Sequence, residues 1–119
     1  MANVVHVDNS EFFRKLMRVF LIELGHETEG FARGEDALDV VMSGKVDYVI
    51  TGMELADMSG EEFIKQIIVS TQLPILVVTS NEEEEKIRHL NSLGVRAVIR
   101  KTGNWKEELR LQLSNITKE

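Results

Sequence analysis

The chain has no cysteine, one proline, one tryptophan and one tyrosine. The lack of cysteine excludes disulfides and thiol catalysis together. Basic residues are in the minority, 14 Lys and Arg against 20 Asp and Glu, for a formal charge of -6. A nucleic-acid binder needs a basic stripe, so no nucleic-acid partner is expected. No apolar run approaches the ~20 residues of a membrane span. The opening residues, Met-Ala-Asn-Val-Val-His-Val-Asp, offer neither a basic n-region nor a long apolar h-region. These absences set the expectation of a cytoplasmic protein with no secretory signal and no membrane partner. Repeats, low-complexity tracts and linkers are also missing. At 119 residues, with a hydrophobic fraction of 43%, the chain reads as a single domain over 1–119 with one core.

What is present is an alternation of short apolar runs and amphipathic segments. Val4, Val5 and Val7, interrupted by His6, read as a first strand, apolar on both faces as a central parallel strand should be. Ser10 can cap a helix over Glu11–Leu24, in which Phe12, Phe13, Leu16, Val19, Phe20 and Leu24 recur at helical spacing. Gly25 ends it. Glu27–Phe31 reads as a short polar strand near an edge, and Glu35–Met42 as a second helix stopped by Gly44.

A third strand spans Val46–Thr51, and Ser59 caps a third helix, Gly60–Ser70, with Phe63, Ile64, Ile67 and Ile68 as its buried positions. Ile75–Val78 is the fourth strand. Four glutamates, Glu82 to Glu85, lead a fourth helix through Leu93, acidic residues being favoured at a helix N-terminus. Gly94 ends it, Val95–Arg100 is the fifth strand, and Asn104 can cap a last helix carrying Leu109, Leu113 and Ile116. Five strands alternating with five helices through short connections imply an α/β fold. Its sheet is doubly wound, five-stranded and parallel, with helices on both faces. A flavodoxin-like strand order fits this length.

In such a sheet the loops that follow the strands share one edge, where ligand sites form. That edge would collect Asp8 and Asn9, Gly52, Thr79 and Lys101. A carboxylate suits Mg²⁺, while a hydroxyl and an ammonium suit phosphate oxygens, so the residue types match a phosphoryl site. The strand feeding its centre, however, is followed by Gly52, which has no side chain.

With these residues in place, the chain resembles the receiver domain of two-component response regulators, the CheY-like (βα)5 family, over essentially its whole length. The resemblance is carried by Val7-Asp8-Asn9-Ser10, by Gly34-Glu35-Asp36-Ala37-Leu38, by Asp57-Met58-Ser59-Gly60, by Val78-Thr79-Ser80 and by Ile99-Arg100-Lys101. It implies phosphorelay signalling rather than enzymatic turnover. In this register Gly52 stands at the place of the phosphoacceptor aspartate, so no acyl phosphate could form there.

Thr79 and Lys101 would be residual phosphoryl-site residues. Asp8, Asn9 and Glu54 would make a weak residual metal site. No cofactor is then required, and Mg²⁺ would bind weakly, with Lys101 able to pair with Asp8 across the vacant space. Other departures are Leu55-Ala56 for the family's Met-Pro, Val98 for its frequent aromatic gate, and Thr102 for the proline after the lysine. The Lys101–Thr102 peptide should be trans, because a non-proline cis bond costs ~3 kcal/mol.

The expected partners are signalling proteins, a histidine kinase among them. They would dock on the fourth helix, fifth strand and fifth helix, where Lys86, His89, Arg100 and Trp105 are candidates. The chain's ending soon after the last helix carries the expectation of no output domain. The alternative reading is an ordinary phosphoaccepting regulator whose acceptor aspartate has been replaced in this chain. Relocation of phosphorylation to Glu54 or Asp57 is a weaker option. His6 reads as a hydrogen-bonded core histidine, Glu82–Glu85 as a solvated helix start, and Trp105 as packing for the last helix.

Overall fold

The computed structural model describes residues 2–117. The elements run β1 (Asn3–Val7), α1 (Glu11–Glu23), β2 (Glu27–Phe31), α2 (Gly34–Val41), β3 (Tyr48–Thr51), α3 (Gly60–Ser70), β4 (Ile75–Thr79), α4 (Glu84–Ser92), β5 (Ala97–Arg100) and α5 (Trp105–Thr117). All strand pairs are parallel, in the order β2-β1-β3-β4-β5. This is the flavodoxin-like order expected from the alternation. β3 and β5 begin two residues later than the apolar runs suggest, and α4 begins at Glu84 rather than Glu82.

The twofold alternation of a strand sorts the core into two layers. Val4, Ile50, Leu76, Val78 and Ile99 face α1 and α5, where Phe13, Met17, Phe20, Leu21, Trp105, Leu109 and Leu113 close the layer. Val5, Val7, Val49, Ile75 and Val77 face the other way, against Ala37 and Val41 of α2, Phe63, Ile64 and Ile67 of α3, and Leu90 of α4. The helices start where their caps predict: Ser10 Oγ accepts from the Phe13 amide and Ser59 Oγ from the Glu62 amide, each at 3.1 Å. Asn104 directly precedes α5, and its carbonyl accepts from the Glu108 amide. Gly25 and Gly94, at φ +89° and +100°, take the left-handed conformation that ends α1 and α4.

Two sequence expectations are corrected. The inward face of α1 is Phe13, Met17, Phe20 and Leu21, while Phe12 and Val19 lie open to solvent, 73% and 56% exposed. The helix carries two apolar stripes, and only one meets the sheet. Ile68 is 40% exposed, because Phe63, Ile64 and Ile67 already fill the contact of α3.

Candidate functional site

The carboxyl edge of the sheet holds a cleft of about 840 Å³. The carboxyl ends of β1, β3, β4 and β5 bring Asp8, Asn9, Gly52, Glu54, Thr79 and Lys101 to its walls, so the structure unites these residues as the topology implies. Asp8 and Thr79 are buried at its floor, while Asn9 and Glu54 are exposed.

Asp8 is the most heavily engaged. Its Oδ1 accepts from the Ser10 amide at 2.8 Å, and the Arg14 guanidinium donates to its carbonyl at 2.8 Å. Its Oδ2 receives the Lys101 ammonium at 2.8 Å. With side chains only 12% and 21% exposed, this pair is shielded from solvent far more than the surface ion pairs of the helices. The same ammonium sits 3.9 Å from the centroid of the Phe13 ring. Such a cation–π contact adds about 1 kcal/mol. Lys101 thus has an anion on one side and an aromatic face on the other. The Phe13 contact had no signal in the sequence beyond an aromatic residue early in α1.

Gly52 lies beside this pair. Its amide donates to the Val7 carbonyl at 2.9 Å. A Cβ placed on it would meet Asp8 Oδ2 at 3.2 Å, tight but open to relief by a small side-chain shift. Gly60, by contrast, could not carry a side chain: its Cβ would collide with the Gly52 carbonyl backbone. That close approach joins the start of α3 to the loop after β3. The Thr79 hydroxyl accepts from the Asn81 amide at 3.0 Å.

The donor set does not fit a tight divalent-cation site. Among the described residues no cluster of three or more His, Cys, Asp and Glu side chains could hold a metal ion. Asp8 is the one buried carboxylate of the cleft, and half of it is committed to Lys101. Hard cations require several oxygen ligands, most of them charged for high affinity.

The rim carries a contact that the sequence did not show, made by one of the residues it singled out. His89 of α4 and Glu61 of α3 meet across it at 2.8 Å. The Lys65 hydrogen bond, with the His89 charge as a smaller aid, holds the Glu61 carboxyl below its ordinary range against weaker desolvation. Lys86 and Arg100 are exposed. Trp105 is not available as an exposed anchor: it is 9% exposed and packs on Phe13 and Phe20 at 4.9 and 5.5 Å between ring centroids.

Asp57 turns away from the cleft altogether. Its two carboxylate oxygens accept from the Gly34 and Glu35 amides at 2.6 and 3.1 Å, capping α2 from another loop where Arg33 provides no side-chain cap. Desolvation pushes this carboxyl up, but the amides of Glu35 and Gly34 and the Arg33 guanidinium together pull it below its usual range. The Lys101–Thr102 peptide is trans. The loop is tied to the one after β4 by a hydrogen bond from the Thr102 hydroxyl to Glu82 Oε1 at 2.6 Å.

Comparison with known proteins agrees with this architecture. Residues 4–113 match the family model of the response regulator receiver domain. Among curated relatives, the protein-glutamate methylesterase/protein-glutamine glutaminase of Bacillus subtilis is 35% identical over 99 residues, covering 82% of this chain and 28% of that protein. The chain thus spans about a quarter of the length of that relative and of its Bacillus licheniformis counterpart. Chemotaxis protein CheY-3 of Vibrio cholerae is 28% identical over 100 residues, covering 81% of this chain and 77% of the relative.

Among solved structures, the chemotaxis response regulator CheY4 of Vibrio cholerae superposes with a TM-score of 0.85 at 28% identity, over 98% of both chains. A two-component response regulator from Clostridium difficile reaches 0.91 at 23% identity, over 100% of this chain and 98% of that one, a likeness of fold alone. No described helix is long and apolar enough to cross a membrane. On the family match and the shared fold, the chain belongs to the response regulator receiver domain family.

Proposed function

We propose that this receiver domain signals without phosphorylation at the end of β3, as an interaction module of a two-component system. Gly52 takes the position of the acceptor aspartate, and the chain has no nucleophile there. The observation that carries this reading is the Lys101–Asp8 pair at 2.8 Å. The cation that would serve an acyl phosphate is already neutralised within the protein. Lys101 and Asp8 therefore neutralise each other with no added phosphoryl group and no required metal. Asp8, Asn9 and Glu54 serve at most as a weak Mg²⁺ site, and Thr79 and Lys101 as remnants of phosphoryl recognition.

The partner surface in this reading is the face of α4, β5 and α5, with Lys86, His89 and Arg100 as its exposed polar contacts. Partners are signalling proteins, a histidine kinase among them, and neither nucleic acid nor membrane. The chain acts as one cytoplasmic domain over 1–119, without enzymatic turnover of its own. The committed role of Asp57 as the cap of α2 opposes relocated phosphorylation at that residue.

The test is incubation with a small phosphodonor and Mg²⁺, followed by intact-mass measurement. An unchanged mass is expected. A stoichiometric, hydroxylamine-labile adduct would overturn the proposal and favour an acceptor elsewhere in the cleft.

A further inference from the structure

We propose that Lys101 couples the Asp8 carboxylate to the first turn of α5 through the Phe13 ring, so that α5 responds to whatever competes for Asp8. This rests on the reading of the cleft as an unphosphorylated interaction centre and adds how such a centre is regulated.

The contacts form one continuous path. Lys101 Nζ lies 2.8 Å from Asp8 Oδ2 and 3.9 Å from the centroid of Phe13. Phe13 meets Trp105 at 4.9 Å with a 53° tilt, and Trp105 meets Phe20 edge-on at 5.5 Å. Trp105 is the first residue of α5. Phe13, Phe20 and Trp105 are all buried.

An ammonium held on two sides cannot leave the carboxylate without also changing its place over the ring. A cation over a ring face is attracted by the ring's quadrupole, so its departure alters what holds Phe13 in its tilt. The interior has no slack to absorb that change silently. The side chain beside it, Trp105, moves with it. β5 offers no aromatic residue as another route: its four residues are Ala97, Val98, Ile99 and Arg100. Two kinds of charged visitor would operate the device. A cation entering the cleft competes with Lys101 for Asp8, and an anion draws Lys101 away from it.

Coupling along a contact path needs direct measurement. Trp105 is the chain's single tryptophan, so its emission reads the far end of the path with no added label. The intact chain would be compared with Asp8→Asn, Lys101→Met, the double variant and Lys101→Arg, each checked for native far-UV circular dichroism. Asp8→Asn and Lys101→Met should each shift Trp105 emission to the red. The double variant should shift no further than Lys101→Met alone, and Lys101→Arg should keep the wild-type spectrum.

Additive shifts in the double variant, or an unshifted spectrum in folded single variants, would overturn the proposal. If Asp8→Asn does not fold, Lys101→Met against Lys101→Arg decides alone, and matching spectra for those two overturn it. No phosphodonor or partner enters this experiment. Its failure would leave the phosphorylation-independent reading standing, whereas a phosphate adduct would end that reading without touching the fluorescence result.

Discussion

His6 and Asp8 are two residues apart in sequence, yet the protein handles their charges in opposite ways. His6 is 3% exposed inside β1. Its Nδ1 shares a hydrogen bond of 2.7 Å with Thr28 Oγ1 on β2, and Gly30 leaves room for the ring beside its Nε2. Desolvation lowers its pKa from 6.5 to about 4, with the Arg14 and Arg18 charges adding to the effect. The imidazole is therefore kept neutral. Asp8, just past the strand, keeps an ionic partner in Lys101. The interior of the sheet removes charge, and its carboxyl edge retains charge and pairs it. The retained pair lines a cleft, so it is the charge that another molecule can reach.

The largest expected effect breaks the His6 side of this contrast. Between about pH 4 and pH 6.5 the unfolded chain binds a proton at this histidine that the folded chain refuses. Stability is therefore insensitive to His6 above pH 6.5 and falls as pH drops through that window. The loss approaches about 3 kcal/mol near pH 4. Chemical denaturation at stepped pH would show this slope. His6→Leu should remove most of it, with a remainder from His26, which burial also shifts downward. An unchanged slope in His6→Leu would assign the acid sensitivity to other groups.

The next effect tests the edge. Lys101→Met keeps the apolar stem but leaves the Asp8 carboxylate without its cation. Removing one partner of a fully buried pair costs 3–5 kcal/mol, and partial exposure here reduces this to about 2 kcal/mol. The double variant Lys101→Met with Asp8→Asn should recover much of that loss. Denaturant midpoints for the four proteins would form the cycle, and a double variant no more stable than Lys101→Met would refute charge pairing as the cause.

A smaller effect sharpens how far the edge extends. Asp57→Ala removes the carboxylate that caps α2 across loops and should lower the thermal midpoint, with increased amide exchange concentrated at Gly34 and Glu35. Asp57→Asn should lose less, because the amide oxygen still accepts. Exchange spread evenly over the chain would count against a local cap.

The same contrast explains what the sequence could tell. Strands and helices were legible because apolar runs of strand length alternate with capped, amphipathic segments, and Ser10 and Ser59 mark helix starts by local chemistry. The convergence of Asp8, Thr79 and Lys101 followed from parallel topology, since strand ends share an edge. The burial of α1 was not legible. Phe12, Val19 and Ile22 are apolar at helical spacing just as Phe13, Met17 and Phe20 are, yet they are the exposed ones, and periodicity does not say which set faces the sheet. Asp57 capping α2 and Phe13 under Lys101 were also hidden. Each joins segments distant in the chain, and neither residue type announces such a partner. The Lys101–Asp8 pair lies between these cases, expected as one option because two opposite charges were placed around an empty centre.

The smallest expected change in stability comes from the substitution that most alters the edge, Gly52→Asp. Its Cβ would enter at 3.2 Å from Asp8 Oδ2, so Asp8 must give by a few tenths of an ångström. Gly52 is not among the glycines with positive φ, so an aspartate meets no backbone strain there. Replacing glycine at a compatible position stabilises by roughly 0.4–1 kcal/mol through the unfolded chain. Against this stands the repulsion of two adjacent carboxylates, with one ammonium now shared between them. Without metal the two effects should nearly cancel, leaving the midpoint within about 1 kcal/mol of the parent.

Mg²⁺ should then separate the two proteins. Two carboxylates raise the charge available to a hard cation, so the variant should gain a concentration-dependent rise in thermal midpoint that the parent lacks. Phosphodonor labelling should also appear in the variant, since Thr79 and Lys101 remain in the cleft. A variant that neither responds to Mg²⁺ nor accepts phosphate would mean that Gly52 does not stand at the acceptor position. The pairing of Asp8 with Lys101 would then be a structural feature of the edge rather than the remainder of a phosphoryl site.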